Sequence, residues 1–423
     1  MSILCRSLAF CLIVSNSALF GGESSADLPR GIESSDWPWW RGPLRNGIAD
    51  VDQQPPATWS ETENVLWSIS IPGRSHGSAI VVGDQVVLAI ADNERAVQSL
   101  LCVNADTGTQ QWECIVHQDG IFQGGNKKAS QASSTPGCDG ERFFINFLNN
   151  DAIWTTAVSR DGKVLWQKKV SDYIVHQGYG SSPAIYEDLV IVSADNKGGG
   201  AVVAFDRATG DERWRRQRPA TPNYPSPVIL HIAGQDQLIM TGCDLVTSLD
   251  PRTGKQLWET EGATTECVTS TVTDGKHIYT SGGYPKNHIS AIVADGSCQL
   301  AWENTVRTYV PSMLIRDGYL YTIQDAGLAT CFEAATGKEM WKGRLGGTFS
   351  ASPVLVGNVI YVTNEAGETF VFEADPGEFR QIAKSKLGDE VMATPTFCRG
   401  RVFTRVAFFD GEQRHERLYC IGR

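Results

Sequence analysis

The sequence predicts an all-β chain: an eight-bladed β-propeller of four-stranded antiparallel blades, its ring closed by an N-terminal strand. Three observations carry this expectation. A small residue, a glycine six positions on and a tryptophan four beyond recur as Cys102–Gly108–Trp112, Thr156–Gly162–Trp166, Ala204–Gly210–Trp214, Ser248–Gly254–Trp258 and Cys331–Gly337–Trp341. A second mark, Ser or Thr usually followed by Pro, recurs at Ser78, Thr135, Ser182, Ser226, Ser270, Ser312, Ser352 and Thr394, at spacings of 57, 47, 44, 44, 42, 40 and 42 residues. The last period stops after Leu418-Tyr419-Cys420, whereas an orphan apolar strand with its own tryptophan, Val65-Leu66-Trp67-Ser68-Ile69, precedes the first mark.

The tryptophan unit reads as a β-hairpin. A short polar residue such as Asp206 enters the turn, Thr209-Gly210 supplies it with a glycine free to take positive φ, and the returning strand carries the ring. One such hairpin cannot bury its own indole, but stacked copies can. Two copies are degenerate: Ile292–Cys298–Trp302 has its glycine displaced to Gly296, and Val371–Gly377–Gln381 lacks the tryptophan. The Ser/Thr mark opens an innermost strand A, then a turn and strand B, as in Ala184-Ile185-Tyr186-Glu187-Asp188-Leu189-Val190-Ile191-Val192. The tryptophan unit supplies strands C and D, and four strands per period make one blade. Eight marks match eight outer-strand slots, counting Trp67 and Gln381, so residues 65–69 complete the final blade and bury edges that would otherwise be open.

Three segments are expected. Residues 1–26 read as a signal peptide: Arg6, an apolar run over residues 8–14, then small residues at Ser17, Ala18 and Ala26. That run is far short of the ~20 residues a spanning helix needs, and no other stretch would cross a bilayer. Residues 27–60 form a Trp/Pro-rich arm, with Asp36-Trp37-Pro38-Trp39-Trp40-Arg41-Gly42-Pro43 at its centre. Its rings are expected to cap the propeller; the competing reading is a glycan platform of Trp37, Trp39 and Trp40. Residues 61–423 form the propeller. The chain is then exported, periplasmic or extracellular, and works as a monomer.

Composition narrows the function. A net charge of −11 with no basic stripe disfavours nucleic acid. Eleven cysteines in 423 residues are too sparse for a disulfide scaffold, and no His/Cys group has zinc spacing, so no metal residue is assigned. Cys102, Cys331 and Cys420 read as small buried hydrophobes of the repeat. If the hairpin about Thr107-Gly108 is in register, Cys102 and Cys114 face each other and export would permit a bond.

The small–Gly–Trp spacing resembles the tryptophan-docking motif of the PQQ-like repeat, or quinoprotein alcohol dehydrogenase-like, β-propellers, over residues ~61–423. The opening Trp37-Pro38-Trp39-Trp40-Arg41-Gly42-Pro43 resembles that of exported members of the family. The resemblance implies that Trp67, Trp112, Trp166, Trp214, Trp258, Trp302 and Trp341 each lie between neighbouring blades as structural docking residues. It implies two functions. One is a binding or scaffold role without cofactor, as in the outer-membrane-protein assembly lipoprotein. The other is a PQQ- and calcium-dependent dehydrogenase.

Residues just before each strand A would ring one mouth of the central channel. They are Arg74, His76, Gln131, Tyr179, Asn223, Tyr224, Glu266, Tyr309, Phe349 and Glu390, a polar and aromatic set suited to a small ligand or a segment of an envelope protein. Asn223, Glu266 and Glu390 are of the type calcium takes, but they sit in no recognisable enzyme motif, and the vicinal Cys-Cys of many PQQ alcohol dehydrogenases is missing. The long insertion at residues 119–130, with Lys127 and Lys128, falls on this mouth and reads as a solvated tip. His117 and His176 share a Val-His-Gln context, which points to repeat descent rather than a metal pair. No catalytic residue is assigned. The reading is a binding protein, with the quinoprotein enzyme as the alternative.

Overall fold

The computed structural model describes residues 28–423, so the expected signal segment lies outside the described residues. The chain forms eight four-stranded antiparallel sheets and no helix among those residues. Blades 1 to 7 occupy residues 80–118, 137–172, 184–217, 228–261, 272–304, 314–344 and 354–386. Blade 8 occupies residues 396–421 and takes its outermost strand from Val65–Ile71. That strand pairs antiparallel with Gln413–Ile421 and sets Trp67 opposite Cys420, closing the ring as the sequence predicts. Each blade is covered on both faces by its neighbours, so inner strands such as Gln85–Asp92 and Leu189–Ser193 are buried along their whole length.

Seven indoles stand at the junctions between blades. Trp67, Trp112, Trp166, Trp214 and Trp302 lie so close to Gly108, Gly162, Gly210, Gly254 and Gly337 of the next blade that an added Cβ would meet the ring at 2.5–2.7 Å. These glycines also have positive φ, so each is required twice over. The indole N–H of Trp67, Trp112, Trp166, Trp214, Trp302 and Trp341 donates to a turn carbonyl of the following blade, at Ala105 (3.0 Å), Arg160 (3.0 Å), Arg207 (3.2 Å), Pro251 (3.0 Å), Ala334 (2.7 Å) and Asp375 (2.7 Å). Trp258 faces the degenerate turn of blade 5 and donates instead to Gln237 Oε1 at 2.8 Å in its own blade.

Cross-strand pairing corrects the spacing in three units. Trp166 opposes Ala157 rather than Thr156, and Trp302 opposes Ala291 rather than Ile292. In blade 7 the slot opposite Val371 holds Ala383, with Gln381 opposite Phe372. The ring's partner is a small residue in all seven tryptophan units, since the wide indole covers it. The hairpin register also rules out the Cys102–Cys114 pairing: Cys102 opposes Trp112, Cys114 opposes Leu100, and both thiols are free and buried.

The Ser/Thr mark has a physical role the sequence did not disclose. Inner strands of adjacent blades diverge too far to share a backbone ladder, yet their buried N–H groups need acceptors. The N–H of Ser78, Thr135, Ser182, Ser270, Ser312 and Ser352 donates to the hydroxyl of the next mark, Thr135, Ser182, Ser226, Ser312, Ser352 and Thr394, at 2.8–3.0 Å. The Ser78 hydroxyl donates to the Thr394 carbonyl at 2.9 Å, so the series runs round the channel with a single break, between Ser226 and Ser270. A belt of hydroxyls thus surrounds the channel.

The arm is not a lid on the propeller but a plug within it. Trp37 bridges Val81 of blade 1, the Pro38 carbonyl accepts from Cys138 N of blade 2 at 2.8 Å, and Ile48 bridges Leu355 of blade 7. The Trp40 indole donates to the Ser270 hydroxyl of the belt at 2.8 Å. Arg41, 2 % exposed, donates to the carbonyls of Pro353 (3.1 Å), Asn46 (2.8 Å) and Met313. Burial pushes its guanidinium down to about 9, and the carbonyl acceptors are what make the site tolerable. The arm enters among the A–B turns, where Asp36 meets Gly83 and Arg399. Trp37 and Trp39 are 3 % and 4 % exposed, which leaves no ring platform for a glycan.

Trp214→Ala removes a buried ring and its bond to Pro251, and is expected to destabilise the fold by about 3–5 kcal/mol. Denaturant unfolding, followed by far-ultraviolet circular dichroism, measures it.

Candidate functional site

With the A–B end plugged, the channel presents one mouth. It is formed by the residues before each strand A and by the B–C hairpins. Those hairpins are uneven. They are short in blades 3, 6 and 7, with strands of five or six residues, and long in the adjoining blades 8, 1 and 2, where Arg401–Asp410 and Gln413–Ile421 run to ten and nine residues. Three neighbouring blades therefore raise a wall along one side, with Phe409 exposed near its tip.

The ten residues expected at this mouth divide. Tyr179 is buried in its blade, where its hydroxyl donates to the Ser193 carbonyl at 2.9 Å, and Phe349 is buried against Phe370. Both are core residues, whereas Tyr309, likewise three before its mark, stays half-buried at the mouth. Asn223 is also buried: its amide donates to the Thr241 carbonyl and its oxygen accepts from Cys267 N at 2.8 Å, pinning blade 4 to blade 5. Gln131 lies beside the long loop, and its carbonyl accepts from Gln98 at 2.8 Å.

The rest form two clusters. In the first, Glu266 of blade 5 lies 3.2 Å from His176 Nδ1 of blade 3 and accepts from the Tyr309 hydroxyl of blade 6 at 3.4 Å, while Tyr224 Oη lies 3.3 Å from the same His176 nitrogen. Burial, with Glu266 close by, raises the Tyr224 and Tyr309 hydroxyls well above the ordinary phenol, so they stay protonated donors. In the second, Arg74 and His76 of blade 1 stand beside Glu390, Arg405, Arg414 and Glu416 of blade 8. Arg414 bonds Glu390 (2.5 Å) and Glu416 (2.9 Å), and Arg405 bonds Glu416 at 2.5 Å.

Four members were not in the sequence-derived ring. His176 lies six residues before its mark, outside the window read, although the repeated Val-His-Gln had singled it out. Arg405, Arg414 and Glu416 sit on strands; the usable signal was an arginine inside the apolar run Val402-Phe403-Thr404-Arg405-Val406. His117, by contrast, is part of the outer strand Gln110–Gln118 and packs edge-on against Phe147 and Trp154.

The loop at residues 119–130 is a strap rather than a free tip. Asn126 bonds Gln177 before blade 3 through its N–H (2.9 Å) and its amide (2.8 Å). The Lys127 carbonyl accepts from Arg74 at 3.2 Å, and Lys128 reaches across the mouth to Glu365 in the B–C turn of blade 7 at 2.7 Å.

A calcium-bound quinone asks for several oxygen ligands converging on one point. Asn223, Glu266 and Glu390 do not converge: each is committed to a different set of partners, and Glu390 belongs to the arginine cluster of blade 8. Among the described residues, no three His, Cys, Asp or Glu side chains gather as a metal-binding group. The residues present do not fit that cofactor.

Fold and mouth together define a closed eight-bladed repeat propeller, plugged at one end, whose other face is polar and self-paired. The chain belongs to the PQQ-like repeat family whose model is described as outer membrane protein assembly factor BamB, and which matches residues 57–173, 102–342, 311–380 and 326–407. It is 24% identical over 355 residues to outer membrane protein assembly factor BamB of Burkholderia pseudomallei (strain K96243), covering 79% of this chain and 83% of that one. Among solved structures, a europium-containing methanol dehydrogenase matches with TM-score 0.66 at 12% identity, over 92% of this chain and 98% of that one. BamB from Moraxella catarrhalis matches with TM-score 0.59 at 12% identity, over 84% and 99%. A quinohemoprotein alcohol dehydrogenase from Comamonas testosteroni matches with TM-score 0.65 at 12% identity, over 92% and 81%. At such identity these structures speak for the fold alone.

Two outcomes are expected here. Lys128→Ala should leave the unfolding midpoint nearly unchanged, since an exposed ion pair contributes about 0–1 kcal/mol, while amide exchange over residues 121–130 accelerates. Burial pushes His117 down to about 4, below its ordinary 6.5. Folding therefore favours the neutral ring: that stability is whole above pH ~6.5 and is lost as pH falls toward 4. A pH series of denaturant midpoints should fall less steeply in this window for His117→Gln.

Proposed function

We propose that this chain is an exported propeller, periplasmic or extracellular, that works as a monomeric binding or scaffold protein and holds a polypeptide of the cell envelope on its mouth face. The observation that carries the reading is how the mouth's polar groups are used. Glu266, His176, Tyr224 and Tyr309 brace four blades against one another, and Glu390, Arg414, Glu416 and Arg405 brace a fifth. Groups held in this way make a rigid, chemically varied surface, which suits recognition. The wall of blades 8, 1 and 2 offers height and an exposed aromatic, Phe409, of the kind interfaces favour. The curated relative named for outer-membrane-protein assembly supports a polypeptide as the class of partner. The N-terminal signal supports export.

A photoreactive residue placed at Phe409 should give a covalent adduct with an envelope polypeptide in cells. The same residue at Val51, exposed on the plugged side, should give none. Equal labelling at both positions, or uptake of PQQ and calcium with dye-linked turnover of alcohols or sugars, would overturn the reading in favour of a passive chain or of the dehydrogenase.

A further inference from the structure

The arginine cluster between blades 8 and 1 holds more donors than the protein satisfies. Arg405 is 5 % exposed. Its Nε bonds Glu416, one terminal nitrogen bonds the Ala89 carbonyl at 2.9 Å, and the other, Nη2, is buried with no partner. Arg74 spends a terminal nitrogen on the Lys127 carbonyl and leaves Nε buried and unbonded. The backbone N–H of His76 bonds the Ser130 hydroxyl at 3.0 Å, while its ring Nε2 is buried and free. Ser75, between Arg74 and His76, donates its hydroxyl at 2.7 Å to the same Ala89 carbonyl that Arg405 bonds, which brings the two blades' groups to one place.

Electrostatics give that spot a sign. Three guanidinium groups face two carboxylates, Glu390 and Glu416, which leaves one positive charge in excess in an acidic protein. Buried donors left unpaired are costly, charged ones most of all, and buried polar groups are as a rule bonded. Guanidinium groups offer paired N–H bonds in the geometry of a carboxylate. A cleft of about 310 Å³ under the strap shares Arg74 with the cluster and is lined besides by Asn93, Phe122, Gln123, Asn126 and Gln131. It sets two cationic residues, Arg74 and Lys127, beside amides and one ring, and its size is that of a small ligand or a chain end.

We propose that this corner of the mouth is a carboxylate-binding site, with Arg74 and Arg405 as the charged donors, the His76 ring beside them, and the strap at residues 119–130 as its cover. The carboxylate comes from a small organic acid or from the terminus or acidic side chain of a polypeptide. The proposal rests on the mouth being the binding face and adds what that face holds.

Calorimetry on the full chain tests it with four probes: a pentapeptide with a free C-terminal carboxylate, its C-terminal amide, acetate and inorganic phosphate. Binding of the free acid but not the amide is expected, weakened about tenfold or more by Arg74→Gln, as loss of a charge-assisted bond implies. Arg74 is part-exposed, so an unchanged unfolding midpoint for that variant keeps the loss specific; His76→Gln serves as a second variant with the same expectation. Acetate binding as tightly as the peptide assigns the site to small acids. Absence of carboxylate binding at millimolar concentration, equal binding of acid and amide, preference for phosphate, or indifference to both substitutions overturns the proposal. An adduct at Phe409 alongside any of these would leave the binding face standing and reject this site alone.

Discussion

The structure depends on a contact between a flat ring and a residue without a side chain. At five junctions an indole lies on the turn glycine of the next blade, so near that even a methyl group would collide. The same glycine needs positive φ to turn the hairpin, so one residue type meets a local and a long-range demand together. At these five junctions the indole N–H also bonds that turn, so neighbouring blades are held together at two points. Where the turn is degenerate, at blade 5, Trp258 keeps its place but bonds within its own blade.

Closure creates a channel, and the arm enters it from one end. Apolar inner strands and diverging backbones would expose unpaired N–H groups to the axis. The hydroxyl belt answers most of them, and the arm answers others, with Trp40 on Ser270 and Arg41 on carbonyls of blades 6 and 7. The two ends are therefore unlike. One is packed by tryptophan and arginine; the other keeps its polar groups on a surface crossed by a strap. That asymmetry, rather than any single residue, is the ground on which the strapped end is proposed as the binding face.

Much of the fold was legible because its determinants are short-range and repeated. Each Ser/Thr mark does open an inner strand, and Trp67 does meet Cys420. The fixed spacing fails where the turn changes length: it is one residue shorter in blade 2, which sets Ala157 rather than Thr156 under the ring, and one longer in blade 5, which sets Ala291 there rather than Ile292. The site was legible only in part. Position before a mark predicts that a residue is near the mouth, not which way its side chain turns. Tyr179, Phe349 and Asn223 turn inward, whereas His176 and Arg405, from outside the window, turn in to meet the cluster residues.

By itself the sequence determined the number of blades, their strand order and the closing strand. Turn glycines, hydroxyl marks and ring positions act within a few residues and recur in phase. Tertiary structure alone decided that the arm fills the channel, that a strap joins Lys128 to Glu365 across 237 residues, and that Arg405 reaches Ala89 across 316. Such contacts form once each, between residues far apart along the chain, and so leave no period to read. Their partners are chosen by where the closed ring places them.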